Sequence, residues 1–452
     1  MAKKKVVYVC SDCGYESPKW QGQCICGAWN TMKEQTIHLD KVNDSRSRKK
    51  TESKPMELNK VGSLEYRRIN TGITELNRVL GNGLVLGSLT LISGEPGIGK
   101  STIIIQAANH IAQKYGKVLY VSGEESEEQI KLRADRVCKV IDDNLLIYSE
   151  TNLDKIVLSC ENENPKFLIV DSIQTMYSEE IDSAPGSVSQ VRTCGNLLMR
   201  IGKANMIPVF IVAHVTKAGD LAGPKILEHL VDCVLNFTGD RDRDLRILRA
   251  YKNRFGTTDE IGAFKMTSDG MTGIKNLSGS LLENTDNNAE GSVVAAIYEG
   301  SRPIFFEVQA LVSPANVGFA RRNSVGIDNN RVSMILAVLE KKAGLSLLNY
   351  DVYVNVVGGM KPDSTSTDLA VALAIYSSAT SKVSTIKAVA LGEVGLTGDL
   401  RAVRNWEKII IEAQRLGYEK VIIPKGESKE KYEGIEICKV KSIGEAIENY
   451  FK

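Results

Sequence analysis

Between Arg68 and about Ile274 the chain alternates short apolar runs with amphipathic stretches. Ser88–Ser93, Lys117–Ser122, Phe167–Asp171 and Val209–His214 are short, mostly apolar and bounded by polar or turn-forming residues. Runs of this kind are predicted to be strands buried on both faces. Lys100–Lys114, Glu127–Val137 and Val188–Lys203 lie between them and carry helical patterns. Strand–helix alternation predicts an α/β domain built on a largely parallel sheet. A polar patch, Glu283–Gly291, then opens a second α/β region. There Val332–Lys342, Asp368–Ser378 and Trp406–Leu416 are predicted helices, and Val352–Val357, Ala388–Leu391 and Val421–Ile423 predicted strands. No internal repeat is visible.

Two segments upstream break this pattern. Residues 1–35 form a small unit rich in Cys, Gly and Trp. The stretch from about Asp40 to Pro55, including Ser45-Arg46-Ser47-Arg48-Lys49-Lys50, is too polar to bury a core and reads as linker. The expected division is a small N-terminal module at 1–35, a linker at 36–64, a nucleotide-binding α/β domain at 65–280 and a second α/β domain at 285–452. A chain of 452 residues is expected to need more than one core.

Composition narrows the classes. The chain is 43% hydrophobic and 25% charged, as globular proteins are. A net charge of +2 leaves any nucleic-acid surface to a local basic patch. No apolar run follows Met1-Ala2-Lys3-Lys4-Lys5, and none of about 18 residues occurs elsewhere, so neither secretion nor a membrane span is expected. The nine cysteines are an odd number, unevenly placed, which fits a reducing, cytoplasmic setting better than a disulfide framework.

The chemistry starts at Gly94-Glu95-Pro96-Gly97-Ile98-Gly99-Lys100-Ser101, which follows an apolar strand and opens a helix. In that context the pattern is a phosphate loop for ATP. Its glycines let backbone N–H groups curl around phosphates, and the helix N-terminus adds partial positive charge. Lys100 is expected at the β- and γ-phosphates, and the Ser101 hydroxyl on Mg²⁺. Asp171, at the tip of Phe167-Leu168-Ile169-Val170, suits the water shell of that ion. Glu124 and Glu125 follow the strand Val118–Val121, on the side where strand ends line a ligand crevice. One of them is expected to polarise the attacking water, and the residues do not say which. His214-Val215-Thr216-Lys217 is a further candidate, for sensing the γ-phosphate at the start of a loop through Gly223. In the N-terminal unit, Cys10-x2-Cys13 and Cys24-x-Cys26 supply four thiolates suited to tetrahedral Zn²⁺, whose binding would supply the folding energy of so small a unit. Trp20 and Trp29 are expected to pack over that site rather than to stack on bases.

Three runs carry a resemblance: Ser93-Gly94-Glu95-Pro96-Gly97-Ile98-Gly99-Lys100-Ser101-Thr102, Ser122-Gly123-Glu124-Glu125-Ser126 and Lys252-Asn253-Arg254-Phe255-Gly256. Together they resemble the bacterial recombination family RadA (Sms), from the N-terminal cysteines to nearly the last residue. The resemblance implies a zinc-binding head, a RecA-like P-loop ATPase and a tail like the Lon protease domain. It further implies a homo-hexameric ring that moves on single-stranded DNA and extends recombination intermediates with RecA. Read from its residues alone, Lys252–Gly256 is a basic turn after a charged strand, Arg241–Arg249. With the resemblance, Lys252 and Arg254 become candidates to reach a neighbouring subunit's γ-phosphate or to contact DNA phosphates. The head departs from the family pattern, since its second cysteine pair is C-x-C where the family has C-x2-C.

The tail resembles Lon in two places. The segment Gly358–Ala370 resembles the loop holding the Lon nucleophile, with Ser366 at the serine position. The run from Gly392 to Pro424 resembles the segment carrying the catalytic lysine, yet Glu407 falls at that position and Lys408 one residue on. One helical residue turns a side chain by about 100°, so Lys408 is a poor substitute. Ser366 is therefore expected to cap the following helix, and the domain to be a platform without peptidase activity. Two rivals to an ATP-driven DNA motor stay in view: an ATP-dependent Ser–Lys peptidase, and a nucleotide-switched adaptor.

Overall fold

A computed structural model describes residues 3–10, 16–25, 27–39, 67–213, 224–239, 244–283, 285–286, 289–315, 320–362, 364–426 and 432–452. The chain divides into two compact units, Met1–Thr238 with Arg246–Gly273, and Gly239–Leu245 with Ile274–Lys452.

The N-terminal segment is a three-stranded antiparallel sheet in which β1 (Lys3–Cys10) lies between β2 (Glu16–Ser17) and β3 (Met32–Leu39). Its interior is small: Cys10, Cys24 and Met32 are buried together.

The remainder of this unit begins with β4 (Arg68–Ile69), α1 (Thr74–Leu80) and β5 (Leu84–Val85). An alternating series follows: β6 (Leu89–Gly94), α2 (Lys100–Tyr115), β7 (Val118–Ser122), α3 (Glu127–Val137), β8 (Leu145–Ser149), α4 (Leu153–Glu163), β9 (Phe167–Asp171), α5 (Val188–Asn205), β10 (Val209–Val212), α6 (Pro224–Leu230) and β11 (Cys233–Gly239). It closes with β12 (Leu245–Asn253), β13 (Ile261–Thr267) and β14 (Gly270–Gly273). These strands form one nine-stranded sheet in the order β14-β13-β12-β11-β6-β10-β9-β7-β8. From β11 to β8 all pairings are parallel.

Alternation along each strand builds a core on each face. In β9, Phe167 and Ile169 join α1, α2 and α3 on one side, while Leu168 and Val170 join α4, α5 and α6 on the other. Because helices cover both faces, the strands read as continuous apolar runs. The structure adds β8 and α4, which the apolar pattern alone does not single out. It also moves the charged strand: β12 runs from Leu245 to Asn253, so Lys252 and Asn253 end the strand instead of lying in a turn beyond it.

The second unit contains α7 (Leu277–Leu282), β15 (Ser292–Glu299), β16 (Arg302–Pro314), β17 (Arg322–Val325), α8 (Asn329–Ala343), β18 (Tyr350–Val356), α9 (Asp368–Thr380), β19 (Ala388–Ala390), β20 (Glu393–Val394), β21 (Leu400–Arg401), α10 (Trp406–Arg415), β22 (Lys420–Pro424), β23 (Glu436–Val440) and α11 (Ile443–Tyr450). Its main sheet has the order β17-β18-β16-β15-β19-β22-β23, mixed in direction. Ile409, Ile410 and Ala413 of α10 pack on Val294, Phe305 and Val389 of that sheet. Among the described residues no helix is long and apolar enough to cross a membrane.

Candidate nucleotide site

The carboxyl ends of the parallel strands β6, β7 and β9 meet at one edge of the sheet, where open α/β folds bind ligands. The loop from β6 into α2 bends through three positive-φ glycines, Gly94, Gly97 and Gly99 (147°, 78° and 112°). A Cβ on Gly94 would meet the Phe237 carbonyl at 2.9 Å, and one on Gly99 the Met271 methyl at 2.3 Å. The Phe237 backbone closes Gly94 to other residues, while at Gly99 the methionine end can move and the positive φ is what favours glycine. Lys100, the first residue of α2, is only 4% exposed. Its Nζ donates to the carbonyls of Gly94 (2.7 Å) and Glu95 (3.0 Å), so the amine lies along the loop. Burial lowers its pKa to about 8, while Asp171 and Glu124 pull the other way.

Asp171 closes β9 beside this loop. Its Oδ2 accepts from the Ser101 hydroxyl at 2.9 Å and from the Tyr120 hydroxyl at 2.6 Å. A helix-start hydroxyl touching a strand-end carboxylate is the pair of hard oxygen donors that a nucleotide-bound Mg²⁺ takes. The residues present thus fit a magnesium–nucleotide, with Lys100 at the phosphates and Ser101 and Asp171 on the metal side.

The two glutamates, indistinguishable by spacing, separate in space. Glu125 is held by Arg133 of α3 through both of its carboxylate oxygens. Glu124 instead accepts from the Ser172 hydroxyl and acts electrostatically on Lys100. Glu124 is therefore the carboxylate that faces the phosphate loop, and Glu125 anchors α3. The segment His214–Gly223, with the γ-phosphate-sensing candidate His214, lies outside the described residues.

Lys252–Gly256 sits elsewhere. The Arg254 N–H donates to the Asp232 carbonyl at 3.0 Å, and the Asp232 N–H to the Leu89 carbonyl at 2.9 Å. This places the motif beside the first residue of β6, whereas the phosphate loop leaves the last. Five strand steps, about 17 Å, separate the two ends. Lys252 Nζ donates to the Glu228 carbonyl at 2.6 Å, and Arg254 pairs with Asp232 Oδ1 at 3.3 Å, so both cations lie toward the 228–232 segment. The other three residues build the turn. Asn253 donates to the Val79 carbonyl and accepts from the Phe255 N–H, and the Phe255 carbonyl accepts from Arg68 at 2.8 Å. A Cβ on Gly256 would press on Asn253 Nδ2 and on Gly81 Cα at 3.1 and 3.2 Å.

Family models match three stretches: a rubredoxin metal binding domain at residues 8–34, an AAA domain at 52–220 and the ChlI subunit of Mg-chelatase at 313–427. A solved KaiC-like protein of Pyrococcus horikoshii is 18% identical, covering 46% of this chain and 99% of its own, with a TM-score of 0.38. The DNA repair protein RadA of Bacillus subtilis is 47% identical, over 99% of both chains. That of Streptococcus pyogenes serotype M6 is 49% identical over the full length of both. The chain belongs to the RadA family. The RadA of Listeria monocytogenes, 46% identical over 99% of this chain and 98% of its own, adds a third relative of the same extent. The chain thus joins a P-loop α/β domain, overlapped by the AAA match, to a head that matches a metal-binding domain and a tail that matches ChlI.

In the tail of this RadA-family chain, Ser366 is 2% exposed and lies in a tight turn, Thr365–Thr367. It does not cap α9, contrary to expectation. Thr367 is the residue preceding the helix, and the Ser366 hydroxyl accepts from Ser364 at 2.8 Å and donates to the Ala296 carbonyl at 3.5 Å. The helix starts at Asp368 as expected, which puts Thr367, not Ser366, at its cap position. Ser366 and the Gly392 run do come together, since the Gly392 N–H donates to the Ser366 carbonyl at 2.9 Å. Lys408 is committed elsewhere, with its amine 2.8 Å from the Tyr298 hydroxyl and over that ring at 4.9 Å. Glu407 is exposed.

In the head, Cys10 is buried with its Sγ 3.1 Å from the Thr31 hydroxyl, and Cys24 is buried beside it. Cys13 and Cys26 lie outside the described residues, and among the described ones no group of three or more metal-ligating side chains is assembled. Trp20 and Trp29 are 56% and 68% exposed, so neither is buried over the cysteines. Sequence reasoning missed Tyr120, Arg133, Ser172, Asp232 and Arg68. Tyr120 and Ser172 sit inside or beside apolar strands, where a hydroxyl leaves no periodic signal.

Proposed function

We propose that this protein is a DNA-dependent ATPase that works as a homo-hexameric ring on single-stranded DNA, extending recombination intermediates together with RecA in recombinational repair. One observation carries the reading: the phosphate loop and the Lys252–Arg254 cations occupy opposite edges of one sheet. A chain cannot fold its own motif onto its own loop; a cation supplied by a neighbour would make a head-to-tail contact, the kind from which closed rings are built. The full-length relatives named DNA repair protein support the repair setting.

In this mechanism Lys100 and the loop N–H groups orient the β- and γ-phosphates, and Ser101 and Asp171 would hold Mg²⁺, which would supply charge neutralisation at the transferring group. Glu124, aimed by Ser172, takes the proton of the attacking water. Lys252 or Arg254 of the next subunit stabilises the γ-phosphoryl group. Cys10, Cys13, Cys24 and Cys26 of the head would hold Zn²⁺, a reading supported by the metal-binding family match over residues 8–34. The tail acts as a platform, since the amine of Lys408 engages Tyr298 while Ser366 engages Ser364 and Ala296.

The test is ATP turnover and electron-microscopy symmetry, each with and without single-stranded DNA. Turnover should rise with DNA and particles should show a six-fold ring. Turnover indifferent to DNA with monomeric particles under ATP would overturn the motor and leave a nucleotide-switched adaptor.

A further inference from the structure

We propose that the buried hydroxyl of Tyr120 is a positioning group for Asp171, fixing the carboxylate that faces magnesium. Tyr120 lies in the middle of β7 and is fully buried. It pairs in register with Ile169, so Asp171 is its diagonal neighbour, two residues on along β9 and on the same face. That diagonal is within reach of a tyrosine ring, and the phenol arrives 2.6 Å from Asp171 Oδ2.

Packing alone does not account for the oxygen. The ring sits in an apolar core with Ile104, Ile130 and Phe167, where phenylalanine would fill the same volume. A buried hydroxyl is unfavourable unless hydrogen-bonded, and this one is bonded to the carboxylate of the nucleotide site. Ser101, the other donor, meets the same oxygen at 2.9 Å. Both donors therefore fall on Oδ2, and Oδ1 takes neither.

Two donors on one oxygen have separate consequences. A P-loop hydroxyl that ligates magnesium offers a lone pair to the ion and its O–H to the carboxylate, so its position is shared between two partners. The phenol has no such second task, so it keeps Asp171 in one rotamer whether or not the ion is bound. Preorganisation of this kind improves affinity by removing an ordering cost. A phenol carries its proton throughout the neutral range, so it can serve as a donor there.

This inference rests on Asp171 being the magnesium-side carboxylate, and the test separates the two. Tyr120→Phe and Asp171→Asn are made in the full chain. Mn²⁺ binding is followed by electron paramagnetic resonance in the presence of a non-hydrolysable ATP analogue. Binding of a fluorescent ATP analogue is measured in EDTA. Tyr120→Phe should weaken Mn²⁺ about tenfold, the equivalent of about 1.4 kcal/mol, with metal-free nucleotide binding unchanged. Its loss of ATP turnover should be largest at limiting Mg²⁺ and shrink as Mg²⁺ is raised. A purely structural hydroxyl would instead lower both bindings together, or neither, and either result overturns the proposal. If Asp171→Asn leaves Mn²⁺ affinity at the parent level, the site reading itself fails. If Asp171→Asn weakens Mn²⁺ and Tyr120→Phe does not, only the role of Tyr120 fails. Should Tyr120→Phe not fold, a difluorotyrosine at position 120 keeps the ring shape and strengthens the donor. Unchanged Mn²⁺ affinity in that protein overturns the proposal equally.

Discussion

Removing the Lys252 amine tests whether the distal motif serves a neighbour. Within one chain, about 17 Å of strand separates Lys252 from the phosphate loop. At that range a unit charge contributes about 0.2 kcal/mol in water and about 1 kcal/mol at an effective dielectric of 20, before screening over a Debye length of about 8 Å. Acting on its own chain's ATP, Lys252→Ala should therefore cost no more than about fivefold in rate. Placed about 4 Å from a neighbour's γ-phosphate, the same charge is worth about 4 kcal/mol, or roughly a thousandfold. The assay is basal ATP hydrolysis without DNA, beside binding of a fluorescent ATP analogue. Lys252→Ala should bind nucleotide like the parent and hydrolyse it at least about a hundredfold more slowly. Mixing it with Lys100→Ala should restore turnover, because about a quarter of the contacts in a random ring pair an intact phosphate loop with an intact cation. Parent-level basal turnover in both Lys252→Ala and Arg254→Ala would refute the reasoning. The motif would then be a DNA-contact turn, whose loss lowers DNA affinity and flattens its salt dependence.

Other expectations follow from the same geometry. Glu124→Gln should lower turnover by about 10²–10⁴ with nucleotide binding retained, whereas Glu125→Gln, losing only its hold on Arg133, should mainly lower the melting temperature; equal rate losses would refute the assignment of the base. Lys100 titrates near 8 in the folded protein, so ATP affinity should fall as pH rises through 8, and calorimetry in buffers of different ionisation enthalpy should show proton uptake on binding above that pH. Because this folded pKa lies below the ordinary 10.5, the unfolded chain holds the proton more tightly, and the amine's contribution makes the nucleotide-free protein more stable as pH rises from 8 to 10.5. Ser366→Ala should leave ATP turnover at the parent level, and a serine-reactive fluorophosphonate should not label Ser366; stoichiometric labelling would restore the peptidase reading.

The phosphate site was legible wherever chemistry and periodicity coincide. Glycines at 94, 97 and 99, the lysine and serine that open α2, and an aspartate ending an apolar run each follow from local rules, and the structure brings them to one strand edge. What stayed hidden depends on register. Glu124 and Glu125 are equivalent along the chain, and only the packing of α3, which carries Arg133 to Glu125, separates them. Tyr120 reads as core because its ring is core, and only the pairing of β7 with β9 brings its hydroxyl to Asp171. The Ser366 turn shows the same limit. A serine two residues before a helix looks like a cap, and whether its hydroxyl turns to the helix or to β15 is decided by the strand beneath it.

The five residues of the Lys252–Gly256 motif divide into two groups, and the division sets this basic turn apart from a solvated hairpin. A solvated turn needs no particular partner, yet here Asn253, the Phe255 carbonyl and the close approach at Gly256 fasten the backbone to Val79, Arg68 and Gly81. Asp232 binds the Leu89 N–H with one oxygen and Arg254 with the other, which ties the turn to the start of the strand that ends in the phosphate loop. The backbone of the turn is thus fixed while its two cations remain on side chains, one of them 53% exposed. Ordering a backbone costs about 1–2 kcal/mol per residue, and a turn whose charges only met water would gain nothing from that order. Under the proposed trans role, a cation that meets a phosphate on another subunit would gain from it directly, since its reach is set in advance.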